Sequence, residues 1–233
     1  MLRNYFLKIF IALAALLLIY IFAGLNVSNS LSKNDKSVIA ALDLDSKCSN
    51  IIGNFDLEFE CLKAIQVKVQ SIGSTKCADK YDIIEPYEFM ARNHGCCFDR
   101  ARFIEKIARY YDFKTRHLFI IKNTKKFKLS IFFPYNQPSH ATSEVRTALG
   151  WMGLDSVDPL AIMDKDGNPR DFKFALHNQP PSKYLHSSSF FQDHGYENMF
   201  IIYGLYSRHG MFHFPQVAGP EFNFGELLYN LEF

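Results

Sequence analysis

The segment from Ile9 to Leu25 narrows most sharply what this chain can become: 17 consecutive residues without a charge. A helix of that composition has no polar face to turn toward water, so it is a poor fit to a globular core. Tyr5, Phe6 and Leu7 extend the run past Lys8, toward the roughly 20 residues that a bilayer core requires. Arg3 and Lys8 precede it, which keeps the amino end cytoplasmic and turns the rest of the chain outward. A cleaved signal peptide shares the charged start, but its apolar stretch is about 7–15 residues and ends in a small-x-small site. Here the run is longer and only Ser28 and Ser30 offer such a site, so a retained anchor is the favoured reading. Both readings export the domain, to the periplasm or cell surface if anchored and into the medium if cleaved. From Asn26 to Asn50 the composition turns to Ser, Asn, Asp and Lys, as a tether does, with Val38 to Leu44 the part able to pack. Residues 1–30 are thus read as anchor or signal and 31–50 as tether.

The remaining residues suffice for one domain that folds without a structural metal. Hydrophobic residues make up 48% and charged residues 21%, which excludes a disordered or fibrous chain. A net charge of +2 supplies no field for nucleic acid.

Apolar periodicity outlines the domain. Phe59, Leu62 and Ile65 have helical spacing, whereas Val67 and Val69 suit helix or strand. Pro86 opens a short helix over Tyr87 to Asn93, ended by His94 and Gly95. Ala101, Ile104, Ile107, Ala108 and Tyr111 mark one buried stripe of a helix between Cys97 and Tyr111. Thr115–Ile121, Phe127–Phe133, His140–Ala148 and Trp151–Leu154 read as strands, and Pro134 to Ser139 as a turn. A helix followed by successive strands is an α+β order rather than a doubly wound one.

Cys97 stands at the start of the clearest helix, where unsatisfied N–H groups and the helix dipole favour a thiolate. A thiolate needs a base, and the base an orienting group. His140 begins one strand 43 positions later, and Asp155 ends the next, 15 positions beyond. Adjacent antiparallel strands can bring both to the helix tip.

Three blocks around these residues give the grouping its weight. Gly95-Cys96-Cys97-Phe98-Asp99-Arg100-Ala101 resembles the Gly-x-Cys-x-Asp-x-Ala signature of the transglutaminase-like superfamily. Tyr111 to Arg116 is similar to that family's helix exit and to the Arg of its next strand. His140-Ala141-Thr142-Ser143-Glu144-Val145 resembles His-Ala-Trp-x-Glu-Val, and Gly150 to Asp155 resembles Gly-Trp-x-x-x-Asp. The resemblance covers residues 85–158. It implies a papain-like, transglutaminase-like α+β core, a Cys-bearing helix packed on an antiparallel sheet, of the kind found in exported bacterial members. Cys97 is then the nucleophile, His140 general base and acid, and Asp155 the residue that orients the imidazole. Gly-x-Cys spacing selects Cys97 over Cys96, and the distance from Trp151 selects Asp155 over Asp158. Asp99 falls at a position that is structural in the family. Thr142 in place of Trp, and Ser156 in place of Pro, depart from the pattern and put the shape of the pocket in question.

The expected core is residues 51–160, with 161–233 as a C-terminal extension packed on it. The expected activity is that of a membrane-anchored extracytoplasmic cysteine enzyme cleaving amide or peptide bonds through a thioester, with hydrolysis favoured over acyl transfer. The substrate would be a protein or peptide of the cell envelope, and no cofactor or metal is called for. The alternative keeps the fold as an inactive envelope binding or assembly module. Of the other cysteines, a Cys48–Cys61 or Cys61–Cys77 bridge suits an oxidising compartment. His94, Cys96, Cys97 and His117 lack the ligand spacing of a zinc site. Between Lys106 and Lys128 there are eight basic residues and one acid, which reads as a solvated face before it reads as a docking surface for an anionic polymer. The last 47 residues hold 12 Phe and Tyr, read chiefly as core.

Overall fold

β1 (Lys114–Lys122), β2 (Ser139–Thr147), β3 (Gly150–Leu154) and β4 (Met199–Tyr203) form one antiparallel sheet in the order β3–β2–β1–β4. The computed structural model describes residues 2–24, 26–75, 85–122, 138–177, 188–195, 197–206 and 222–231. The expected strand Phe127–Phe133 and most of the turn after it lie outside the described residues.

Strand alternation sorts side chains to the two faces of the sheet. Arg116, Leu118 and Ile120 stand opposite Glu144, Thr142 and His140, and His117, Phe119 and Ile121 opposite Ser143, Ala141 and Ser139. The His117 and Ser143 side faces α6 (Cys97–Tyr110), since Ser143 donates to the Ala101 carbonyl. On the other face, Leu118 and Ile120 pack with Phe172 and Ala175 of α7 (Phe172–His177) and Phe191 of α8 (Ser189–His194).

On the first face α6 is buried on every side, not along one stripe: Asp99 through Ala108 are all inaccessible. Further helices enclose it. Their ranges are α2 (Lys33–Ala40), α3 (Asp45–Cys48), α4 (Phe55–Gln70) and α5 (Pro86–Arg92). Val67 and Val69 therefore belong to a helix, held there by burial of Leu62, Ile65 and Val69 in the main core. The expected tether also proves to be folded. Ser32 caps α2, and Ile39, Leu42, Leu44 and Cys48 lie in the same core as α4 and α6. Val38 to Leu44, the part expected to pack, supplies three of these four residues.

The described part of the basic run is a solvated face only in part: Lys114 is exposed, whereas two other cations are buried. Lys106 is buried between Asp35 (2.7 Å) and Glu85 (2.5 Å), and Arg116 is buried against Glu144. Arg102 joins Glu85 at 2.6 Å. A helix enclosed on all sides must pair its charges, because an unpaired buried charge is prohibitive. Of the two disulfides expected as alternatives, Cys48–Cys61 is formed, tying α3 to α4; Cys96 is also disulfide-bonded.

The C-terminal residues pack on this body. Val27 donates to the Phe222 carbonyl, Asn29 to Glu226, and Asn223 to the Val27 carbonyl. α9 (Phe224–Leu227) is thereby joined to the start of the domain. Ahead of it runs α1 (Leu2–Gly24), whose large apolar side chains between Tyr5 and Ile19 are 54–70% exposed. Among the described residues no helix is long and apolar enough to cross a membrane.

Candidate active site

Cys97 is the first residue of α6. The chain reaches it through a turn that two groups hold. The Asp99 carboxylate accepts from the Cys96 amide at 2.9 Å, a cap that fixes the helix start. Arg100, fully buried, donates to the Gly95 carbonyl and to the carbonyls of Val69, Gln70, Ile72 and Gly73, closing the end of α4 against the same turn. A Cβ on Gly95 would fall 2.3 Å from the ring of buried Phe89, so this position admits only glycine without displacement. The Cys97 side chain is half-buried and its thiol is free. As a first-turn residue its N–H has no intrahelical acceptor and is available to a ligand.

His140 lies on β2 and is 4% exposed. Its Nε2 meets both carboxylate oxygens of Asp155 at 3.2 Å, and Cys97 is the other side chain that acts on the ring. With Nε2 committed to the carboxylate, Nδ1 is the nitrogen left for the sulfur. Burial alone would depress the imidazole; the Asp155 charge and hydrogen bond, with the Cys97 contact, outweigh it and raise His140 to about 10. The ring therefore holds its proton at neutral pH.

Asp155, immediately after β3, is wholly buried. Burial pushes its carboxyl up, but His140 and the amides of Asp158 and Val157 hold it below the usual range. Those amides reach Oδ1 at 3.0 and 2.8 Å, while the Ser188 hydroxyl donates to Oδ2 at 3.0 Å. Gln66 steadies the loop by donating to the carbonyls of Asp155, Asp158 and Leu160, and is thereby committed to structure.

The structure thus brings together all three residues singled out in sequence. Asp158, the competitor of Asp155, instead accepts from Ser189. Both departures from the family pattern form cross-links: the Thr142 hydroxyl donates to the Leu154 carbonyl and the Ser156 hydroxyl to the Ala141 carbonyl. They sew β2 to the strand and loop that carry Asp155. The four residues weighed as zinc ligands do not converge. His94 takes the Arg92 carbonyl, Cys96 is disulfide-bonded, and His117 pairs with Glu105. Sequence reasoning missed Gln66, Ser188 and Phe190, whose ring stacks on His140 at 5.0 Å between centroids and 18° between planes. Gln66, Ser188 and Phe190 fall outside the recognisable blocks, and no local signal marked them.

No protein-family model matches the chain, and no curated protein matches it in sequence. Among the solved structures that bear a weak likeness to it are the following two. One is Rad4–Rad23 bound to a 6-4 photoproduct UV lesion, with a TM-score of 0.39 and 11% identity over 74% of this chain and 41% of that one. The other is a TGase, with a TM-score of 0.33 and 15% identity over 65% of this chain and 39% of that one. The chain spans about two fifths of each, as those figures state.

Proposed function

We propose that this chain is a cysteine enzyme of transglutaminase-like type that cleaves amide or peptide bonds through a thioester, with water as the favoured acceptor. The observation that carries the reading is the position of His140, between a free half-buried thiol at a helix start and a buried carboxylate. The Cys97 thiolate attacks the carbonyl carbon, and the developing oxyanion is met by the free amide N–H of the first helical turn. Collapse to the thioester breaks the C–N bond as protonated His140 gives its proton to the leaving amine. Neutral His140 then takes a proton from water, whose oxygen attacks the thioester; the acid departs and the thiol regains its proton through His140. Asp155 holds Nε2–H throughout, so the other nitrogen always faces the sulfur.

Exposure of the apolar residues from Tyr5 to Ile19 supports a second part of the proposal: α1 anchors the chain in a membrane, with the domain outside the cytoplasm and its substrate a protein or peptide of the envelope. Flotation of the full chain with liposomes, lost when residues 1–25 are removed, is the expected result; equal flotation of both would remove the anchor. For the chemistry, intact mass spectrometry after incubation with a mixed peptide-amide library should show a hydroxylamine-labile adduct on the wild-type chain and none on Cys97→Ala. An adduct that forms equally on both chains would overturn the reading.

A further inference from the structure

Resting on that reading of the site, we infer that the leading edge of α8 completes it: Ser188 is a positioning residue for Asp155, and Phe190 covers the imidazole of His140. Among the described residues Asp155 receives four donors, of which two are loop amides and one is His140 itself. The fourth, the Ser188 hydroxyl, comes from 33 residues further along the chain. It is the donor on Oδ2 besides His140, whereas both amides sit on Oδ1. Ser188 therefore sets the rotation of the carboxylate plane about its pivot at Oδ1, and with it the direction in which Nε2–H and the ring point.

This edge of α8 is held at two points. The Ser189 amide and hydroxyl both bind Asp158 at 2.7 and 2.8 Å, and Asp158 itself donates its amide to Asp155. Phe191 is buried and packs near Phe172 of α7. Between these anchors Phe190 lies nearly parallel to the His140 ring and contacts His194 by its edge. His140 is on the sheet face that α7 and α8 cover, and among the described residues the ring stacked on it is Phe190 of α8. Ser188 is fully buried, which leaves its hydroxyl no aqueous partner as an alternative to the carboxylate. A segment outside the region of family resemblance thus supplies two groups in direct contact with the His–Asp pair.

The test is the pH profile of Cys97 alkylation by iodoacetamide in the full chain, in detergent, for wild type, Ser188→Ala and Ser188→Thr, with melting curves to establish folding. With the carboxylate freed to rotate, the thiolate loses its fixed imidazolium. The acid limb in Ser188→Ala should then move toward the ordinary thiol value of about 8.5, cutting the neutral-pH rate several-fold. Ser188→Thr, which keeps the hydroxyl, should restore the wild-type profile. A merely structural serine would lower the melting point without moving the limb. Superposition of the Ser188→Ala and wild-type profiles in folded protein would overturn the inference while leaving the enzyme reading intact. A wild-type profile that already sits at the ordinary thiol value would overturn both.

Discussion

Two histidines on neighbouring strands, on opposite faces of one sheet, are each buried against a carboxylate, and the contrast between them shows what makes a site. His117 on β1 meets Glu105 at 2.8 Å, and His140 on β2 meets Asp155 at 3.2 Å. Glu105, like Asp155, is pushed up by burial and held below its usual range by its histidine. Around Glu105 every other neighbour is structural. Ser143 and Tyr206 donate to it, Tyr206 stacks on His117 at 4.0 Å, and His117 Nε2 has no hydrogen-bond partner among the described residues. Around His140 the neighbours include a free thiol at a helix start, and the nitrogen not bound to Asp155 is the one left for it. A His–carboxylate pair is therefore a fold element by default, and becomes chemistry only where a nucleophile reaches the other nitrogen.

The sharpest way to break the comparison is to remove each histidine. His140→Ala should cut turnover by about 10²–10⁴-fold, the range for a lost general acid–base. His117→Leu should leave activity per folded molecule at the wild-type level and lower stability by about 1–3 kcal/mol, the cost of stranding a buried partner. Equal kinetic losses in the two variants would erase the distinction.

Removing a carboxylate should reveal the structural cluster most clearly. Glu105→Leu strands His117 and takes one acceptor each from Ser143 and Tyr206, which keep Ala101 and Glu226, and should cost about 3–5 kcal/mol in chemical denaturation, as broken buried pairs do. A loss below about 1 kcal/mol would place the cluster among surface-like contacts.

Stability against pH sharpens the same contrast. His140 is raised from 6.5 to about 10 on folding, so its contribution is complete below pH 6.5 and fades as pH rises toward 10. The melting-point gap between wild type and His140→Gln should narrow across that window; a gap that widens would give His140 the opposite sign.

The smallest effect expected is at Phe190. Phe190→Ala should speed diethylpyrocarbonate modification of His140 and leave that of His117, beneath Tyr206, unchanged. Equal rates at His140 before and after the substitution would show that the ring does not cover it.

Much of this was legible in sequence for a physical reason. α6 carries a clear apolar stripe and β1 a β-branched, apolar content, while β2 alternates loosely and β3 is short and apolar; Cys97, His140 and Asp155 sit at the ends of these elements, inside three blocks that resemble one family. What was not legible depends on contacts distant in the chain. Lys106 and Arg116 look solvated until Asp35, Glu85 and Glu144 are placed beside them. Residues 33–48 look like a tether until Ile39 and Leu42 meet α4 and α6. Arg100 looks like a surface cation until the end of α4 supplies its carbonyls. Ser188 and Phe190 lie 33 and 35 positions beyond Asp155, with no local pattern that points to it.

The most direct test of the central claim is the pH dependence of iodoacetamide labelling in the full chain, located by mass spectrometry, for wild type and His140→Ala. The account predicts selective labelling of Cys97 well below the ordinary thiol value of about 8.5, and loss of that reactivity in His140→Ala. Labelling of Cys97 only at alkaline pH, or to the same extent in both proteins, would contradict it.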